Sequence, residues 1–464
     1  MLPLLWLLMF WVPQGLALIS PIKVHGRYFF DSVTQEPFYI KGVDYQPGGS
    51  SVTSQNKDPL SDPDICARDI ALFQQLGINT IRVYTVNPDL DHDVCMTLLA
   101  SAGIYLVLDV NSPQQARHLN RYEPWSTYTA EYLQNVFKVV EQFGSYNNTL
   151  GFFAGNEIVN DKISAAHSPR FVKAMVRDIK QYIDANLARK IPVGYSAADD
   201  LDYRIPLSEY LECIDESPFD LADFYGVNSY QWCGDQTFYS SGYDKLVSDY
   251  ADYTRPVFLS EYGCNKVTPR MFSEVQALYS DDMIGVFSGG LAYEFSQETN
   301  NYGLVKVLDN GDVILLDDFL ALKYQLETVP DINYDVVTNH LLSENMKGSV
   351  AKHDYKQPTC KSEFKNLAVE QGLPSSVADK LIDQGVDVKK GKYVTLTESQ
   401  LQSSYKVFSP SGKALGTPTV RVIRDISPGS SSRGSRLPVQ TIPNSGTYGG
   451  HHCYRPCIKS RKIY

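Results

Sequence analysis

The sequence predicts an α/β chain whose main body is a (β/α)8 barrel of the TIM type, followed by a small C-terminal appendage and a flexible tail. Three observations carry this. From Phe38 to about Thr328, short β-rich runs alternate with longer amphipathic segments, the pattern of repeated βα units. There are eight such runs, the number that closes a barrel. The first run is not followed by a Gly-rich phosphate loop, which leaves the rival, a doubly wound open sheet, without its main support.

The predicted strands are residues 40–45, 80–86, 105–110, 150–157, 191–198, 224–230, 256–263 and 289–296. Between them, 64–77, 127–144 and 168–187 read as amphipathic helices, the last opening on Ser168-Pro169, a cap residue before a proline suited to the first helical position. In such barrels chemistry sits at the C-terminal strand ends, so the polar residues there are the first site candidates. They are Asp44-Tyr45-Gln46, then Arg82 and Tyr84, Asp109-Val110-Asn111, Gly155-Asn156-Glu157, Asn228-Ser229-Tyr230-Gln231-Trp232, Ser260-Glu261-Tyr262 and Tyr293-Glu294-Phe295. One rim thus collects carboxylates, amides and aromatic rings.

The division predicted is residues 1–17 as a signal peptide, 18–330 as the barrel, 331–407 as the appendage and 408–464 as a low-order tail. Residues 2–18 are almost wholly apolar but broken by Pro13-Gln14-Gly15, and they fall short of the ~20 residues a spanning helix needs. Secretion is therefore expected, with no transmembrane segment in the mature protein. No hydrophobic tail of the lipid-anchor kind ends the chain. Residues 361–384 look helical, whereas from Ser409 onward Pro, Gly, Ser and Arg dominate without hydrophobic periodicity.

Composition narrows the function. The chain has 464 residues, 43% hydrophobic and 12% aromatic, with a net charge of −11. That balance lacks the basic surface on which nucleic-acid or polybasic membrane binding depends. Thirty-one tyrosines suit uncharged polyhydroxylated ligands such as sugars, although core packing explains tyrosine equally well. Eight cysteines in a secreted chain imply disulfides, with 105 pairings open. Metal binding at Cys453-Tyr-Arg-Pro-Cys457, beside His451 and His452, is the weaker reading because no second ligand pair lies nearby. Asn147-Asn-Thr149 is a glycosylation sequon in a polar loop.

Glu157 and Glu261, ending strands four and seven, fall on opposite sides of one barrel mouth. Glycosidic cleavage needs such a pair: a protonated carboxyl for the leaving oxygen, and an ionised one to attack the anomeric carbon. Retention of configuration sets them ~5–5.5 Å apart. Asn156 is placed to hydrogen-bond the sugar 2-hydroxyl. No metal and no cofactor are needed for this displacement.

Gly42-Val-Asp-Tyr-Gln-Pro-Gly-Gly49, Ile81-Arg-Val-Tyr84, Ala154-Gly-Asn-Glu157, Asn228-Ser-Tyr-Gln-Trp-Cys233, Leu259-Ser-Glu-Tyr-Gly-Cys264, Ala292-Tyr-Glu-Phe295 and Asn300-Asn-Tyr-Gly303 resemble the fungal β-1,3-glucanosyltransferases of glycoside hydrolase family 72. The resemblance runs from about residue 20 to residue 360. It implies a retaining transfer between β-1,3-glucan chains as donor and acceptor, with Glu157 as acid/base and Glu261 as nucleophile. Gln46, Tyr84, Asp109, Asn156, Tyr230, Tyr293 and Tyr302 match substrate-cleft positions. The same resemblance implies the bridges Cys66–Cys95, Cys233–Cys264 and Cys213–Cys360, the last tying the appendage to the barrel.

Some family members carry a Cys-rich glucan-binding module behind the barrel, but only Cys453 and Cys457 follow Cys360 here. The resemblance therefore implies the subtype without the module, a monomer secreted to the extracellular space or cell wall. Two rivals share the cleft: a plain hydrolase, and a catalytically dead wall lectin. Tyr230, Trp232 and Tyr302 as stacking platforms favour transfer, and the presence of both glutamates disfavours the lectin.

Overall fold

The computed structural model describes residues 19–338 and 358–423. Eight parallel strands close a barrel: β1 (Ile40–Asp44), β2 (Thr80–Val83), β3 (Tyr105–Asp109), β4 (Thr149–Asn156), β5 (Val193–Ala197), β6 (Phe224–Asn228), β7 (Val257–Tyr262) and β8 (Phe287–Ala292). Each pairs with its sequence neighbour, and β8 pairs with β1, for example Gly289 with Ile40. The strands lie within or against the predicted runs, because side chains buried on both faces give the uninterrupted apolar runs of a parallel sheet.

The helices follow from local chemistry. Pro63–Leu76 starts where the Asp62 side chain accepts from the Asp64 and Ile65 amides, and it stops at Gly77, whose φ of 74° suits a residue without Cβ. The helix expected over 127–144 begins at Ala130, capped by Thr129, after a separate turn Pro124–Thr127. Pro169–Asn186 has Pro169 at its first position as predicted, but Ser168 does not cap it through its side chain. Its hydroxyl donates instead to Arg121 O at 2.7 Å, tying the helix to the loop after β3.

Phe153, Phe224 and Phe258 fill the lower barrel, with ring centroids 5.2–6.0 Å apart. Room for Phe224 depends on Gly194, where a Cβ would lie 2.3 Å from its ring. A hairpin, Ile22–His25 with Tyr28–Asp31, inserts Phe29 against Phe224 and Phe258 and seals the N-terminal end. Only the C-terminal mouth is left for chemistry.

The C-terminal segment departs from expectation. Within 361–384 only Asp379–Gln384 is helical. The rest is irregular and bonded to the barrel's helices, as where Arg177 donates to Pro374 O at 2.9 Å and Asn186 to Ile382 O at 2.9 Å. Further on, Tyr393 donates to Asn148 Oδ1 at 2.7 Å and Ser403 to Asp64 Oδ1 at 2.7 Å. Val407–Phe408 then joins Val305–Val307, Val313–Leu315 and Ala414–Gly416 in a four-stranded sheet. Strand pairing thus crosses the boundary drawn at residue 408. The segment wraps the barrel because its backbone groups find partners there that composition does not reveal.

The bridges Cys66–Cys95, Cys213–Cys360 and Cys233–Cys264 all form. Asn147 is half-buried in the turn before β4, and the Thr149 hydroxyl of its sequon is buried and donates to Phe143 O. The predicted signal peptide, Cys453 and Cys457 lie outside the described residues. No helix among those described is long and apolar enough to cross a membrane, and no cluster of metal-ligating side chains occurs among them.

Candidate active site

The mouth is organised around a buried cation. Arg82 on β2 is fully buried, and an unpaired charge there would be prohibitively costly. Its guanidinium forks onto both oxygens of Asp109 at 3.0 Å and donates to Ser260 O at 3.2 Å and Glu261 Oε1 at 3.4 Å. Its faces lie 4.2 Å from the Tyr84 ring and 4.6 Å from the Phe153 ring. Arg82 therefore fixes the ends of β3 and β7 against each other.

Glu261 is 7% exposed. Tyr84 donates to its Oε1 at 2.8 Å and Tyr230 to its Oε2 at 2.7 Å. Burial pushes its carboxyl up to about 7; Arg82 pulls it down, the neighbouring Glu157 charge pushes it up, and the two tyrosine hydroxyls pull it down. Glu157 follows β4 with φ 49°, an unusual value for a residue with a side chain, while its amide donates to Ser196 O at 2.8 Å. Its Oε1 accepts from Asn228 Nδ2 at 2.7 Å. The Glu157 charge is felt at Glu261. A guanidinium and two hydroxyls face Glu261, whereas the side-chain donor that faces Glu157 is Asn228, so the groups that favour a negative charge are gathered on Glu261.

Tyr230 meets Tyr293 and Tyr302 edge-on with centroids 6.3 and 5.6 Å apart, Tyr293 meets Tyr302 at 5.2 Å, and Tyr84 meets Tyr293 at 6.5 Å. These four rings form one aromatic wall beside Glu261. A cavity of about 620 Å³ opens next to it, lined by Tyr84, Asp109, Asn156, His118, Arg121 and Tyr122 among others.

Two glutamates, a buried guanidinium and four tyrosines thus meet at one mouth, and comparison with known proteins gives the family of the chain. A model of the glycoside hydrolase 72 glucanosyltransferases matches residues 14–330. The chain belongs to that family. The 1,3-beta-glucanosyltransferase GAS4 of Saccharomyces cerevisiae is 54% identical over 409 residues, 88% of this chain and 84% of GAS4. The 1,3-beta-glucanosyltransferase gel2 of Aspergillus fumigatus is 44% identical over 403 residues, 86% of this chain and 82% of gel2. Among solved structures, a variant of S. cerevisiae Gas2p in complex with laminaritetraose and laminaripentaose superposes with a TM-score of 0.66 at 38% identity, covering 77% of this chain and 75% of that one.

Within this family 72 glucanosyltransferase, the sequence-predicted site residues gather at one mouth, but not all face a ligand. The Gln46 amide is 3% exposed and spent on the protein: Oε1 accepts from the Tyr84 and Thr85 amides at 3.1 Å, and Nε2 donates to Thr53 Oγ1 and Thr85 O at 3.3 Å. Asp109 is engaged by Arg82. Trp232, read as a stacking platform, is 6% exposed, packs on Tyr243 and donates to Ser273 Oγ at 3.0 Å, so it is a wall of the core. The Cys233–Cys264 bridge ties the loop after β6 to the end of β7, next to Glu261.

Other residues carried no assigned role in the sequence reading. Asn228 joins the halves of the site, accepting from Ser260 Oγ at 2.8 Å and Ser196 Oγ at 3.0 Å while donating to Glu157. Arg82 is a charge within an apolar strand, a sequence signal of a buried ion pair, but counts in the sequence reading only as a polar strand-end residue. Arg270 had no such signal: it donates to Gly263 O, Tyr293 O and Tyr302 O and pairs with Asp318 at 2.6 Å, holding the tyrosine wall from behind. Asp44 is fully buried and neither carboxyl oxygen has a hydrogen-bond partner; burial keeps it protonated well above the usual carboxylate range. Glu294 accepts from Asn300 Nδ2 at 2.8 Å and is pushed up to about 7, chiefly by burial.

Proposed function

We propose that this chain is a retaining β-1,3-glucanosyltransferase, cleaving β-1,3-glucan internally and transferring the new reducing end to the non-reducing end of another chain. The observation that carries the reading is the asymmetric carboxyl pair, Glu261 held by Arg82, Tyr84 and Tyr230 and Glu157 by Asn228.

In the first step a Glu261 oxygen attacks the anomeric carbon, the bond to the departing chain breaks, and the Glu157 proton passes to the departing oxygen. Tyr230 and Tyr84 release part of their hold on Glu261 as its charge is consumed. In the second step an acceptor hydroxyl gives its proton to Glu157 and attacks the anomeric carbon, freeing Glu261. Asn156, half-buried at the end of β4 and accepting from Asn228 Nδ2 at 3.3 Å, would hydrogen-bond the sugar 2-hydroxyl. Tyr230, Tyr293 and Tyr302 offer apolar faces on which an acceptor sugar competes with water. Gln46 and Asp109 act by positioning Tyr84 and Arg82. The apolar leader and the three disulfides support an extracellular or wall-associated place of action.

The deciding experiment incubates the protein with a reduced linear β-1,3-gluco-oligosaccharide and follows product lengths by mass spectrometry. Products longer than the starting chain establish transfer; shorter products alone make it a hydrolase, and binding without turnover makes it a lectin. Glu157→Gln and Glu261→Gln should each lower turnover by about 10²–10⁴-fold with the fold intact.

A further inference from the structure

An exposed aromatic block continues the cleft outward from the loop after β3. Tyr122 is 45% exposed and lines the 620 Å³ cavity; Trp125, on the same loop, is 54% exposed. Large exposed rings beside a ligand cavity are unusual on a soluble surface and mark contact sites. Both are pinned. The Tyr122 hydroxyl donates to Asp161 Oδ2 at 3.0 Å, and Asp161 caps the helix Lys162–His167. The far end of that helix returns His167, whose ring meets Trp125 edge-on at 5.3 Å. Ser168, just beyond it, donates to Arg121 O at 2.7 Å and closes the circuit. The rings are thus held in place before any ligand arrives, which lowers the ordering cost of binding.

Beside Trp125 lies a second hollow of about 280 Å³, lined by His167, Arg170, Glu370 and Gln371 with two alanines. A flat indole bordered by an imidazole, a guanidinium, a carboxylate and an amide matches one face of a pyranose ring and the hydroxyls at its edge. Glu370 and Gln371 come from the C-terminal segment, so that segment completes the hollow.

We propose that Trp125, with His167, Arg170, Glu370 and Gln371, forms a distal subsite for a β-1,3-glucan chain leaving the catalytic cleft past Tyr122. The proposal rests on the glucanosyltransferase reading and extends it: chains long enough to reach Trp125 bind more tightly, while short ones do not sense it.

The test measures kcat and KM for Trp125→Ala, Trp125→Phe and the unaltered protein on laminari-oligosaccharides of increasing length. Trp125→Ala should raise KM about tenfold for long chains, a loss of roughly 1.4 kcal/mol. Short-chain KM and kcat at every length should stay as they were, and Trp125→Phe should recover most of the loss. A KM unchanged at all lengths, or raised equally at all lengths, overturns the proposal. Melting curves exclude a folding defect as the source of a uniform change. If the unaltered protein itself makes no products from these oligosaccharides, the function reading fails; if it does and Trp125→Ala is silent, only the subsite fails.

Discussion

Asn228 donates to Glu157 Oε1 at 2.7 Å while accepting from Ser260, the residue before Glu261. One amide thus references both carboxyls to the same point, across β4, β6 and β7. Asn228→Ala removes that reference. We expect kcat to fall about 10²-fold, since small misplacements of a reacting group cost that much, with KM little changed. Steady-state kinetics on a laminari-oligosaccharide checks it, and a loss confined to KM would contradict it.

The pH profile should be bell-shaped, because turnover needs a proton on the acid and a charge on the nucleophile. Burial and the charge of Glu157 raise Glu261, and its protonation sets the acid limb. A donor with a fluoride leaving group needs no proton from Glu157, so with Glu157→Gln fluoride release from that donor should keep the acid limb and lose the alkaline one. An alkaline limb that persists would show that Glu157 is not the acid.

Asp109 should behave as a structural partner of Arg82. Asp109→Ala leaves a fully buried guanidinium without its forked acceptor, and breaking a buried pair in this way costs about 3–5 kcal/mol. Denaturant unfolding should show that loss together with reduced kcat. An unchanged midpoint with a raised KM would instead make Asp109 a sugar contact.

Arg270→Met should strip donors from Gly263 O, Tyr293 O and Tyr302 O. Each buried carbonyl left unpaired costs about 1–3 kcal/mol. Beyond that destabilisation the tyrosine wall loses its backing, so transfer should decline relative to hydrolysis. Product ratios by mass spectrometry read this directly.

Stability itself should depend on pH. Glu261, Glu274 and Glu294 are each pushed from 4.5 up to about 7, with burial the largest cause. The folded protein then binds more protons than the unfolded chain between those values. The stabilisation is fully present below about 4.5 and is lost as pH rises through about 7. Melting temperatures should be higher at pH 5 than at pH 8, and the reverse order would refute the shared direction of the three shifts.

The barrel was legible in the sequence because its strands are buried on both faces and spaced by amphipathic helices, so eight apolar runs of strand length stand out from local composition alone. Glu157 and Glu261 were legible for a related reason: a carboxylate at the end of a barrel strand has nowhere to point but the mouth. The three disulfide pairings came from the family resemblance, and all three form. What each polar group spends its hydrogen bonds on was not legible. Gln46 and Asp109 bind protein, Trp232 packs in the core, and Arg270 supports the tyrosine wall from a loop with no strand-end signal. The segment after Cys360 read as a helical appendage, yet it lies along the barrel through contacts with residues up to 347 positions away. Local patterns encode which face of an element is buried, but the partner of a buried donor or acceptor is chosen by closure of the barrel, which brings distant strand ends within 3 Å and leaves each polar group to be satisfied by whatever the fold places there.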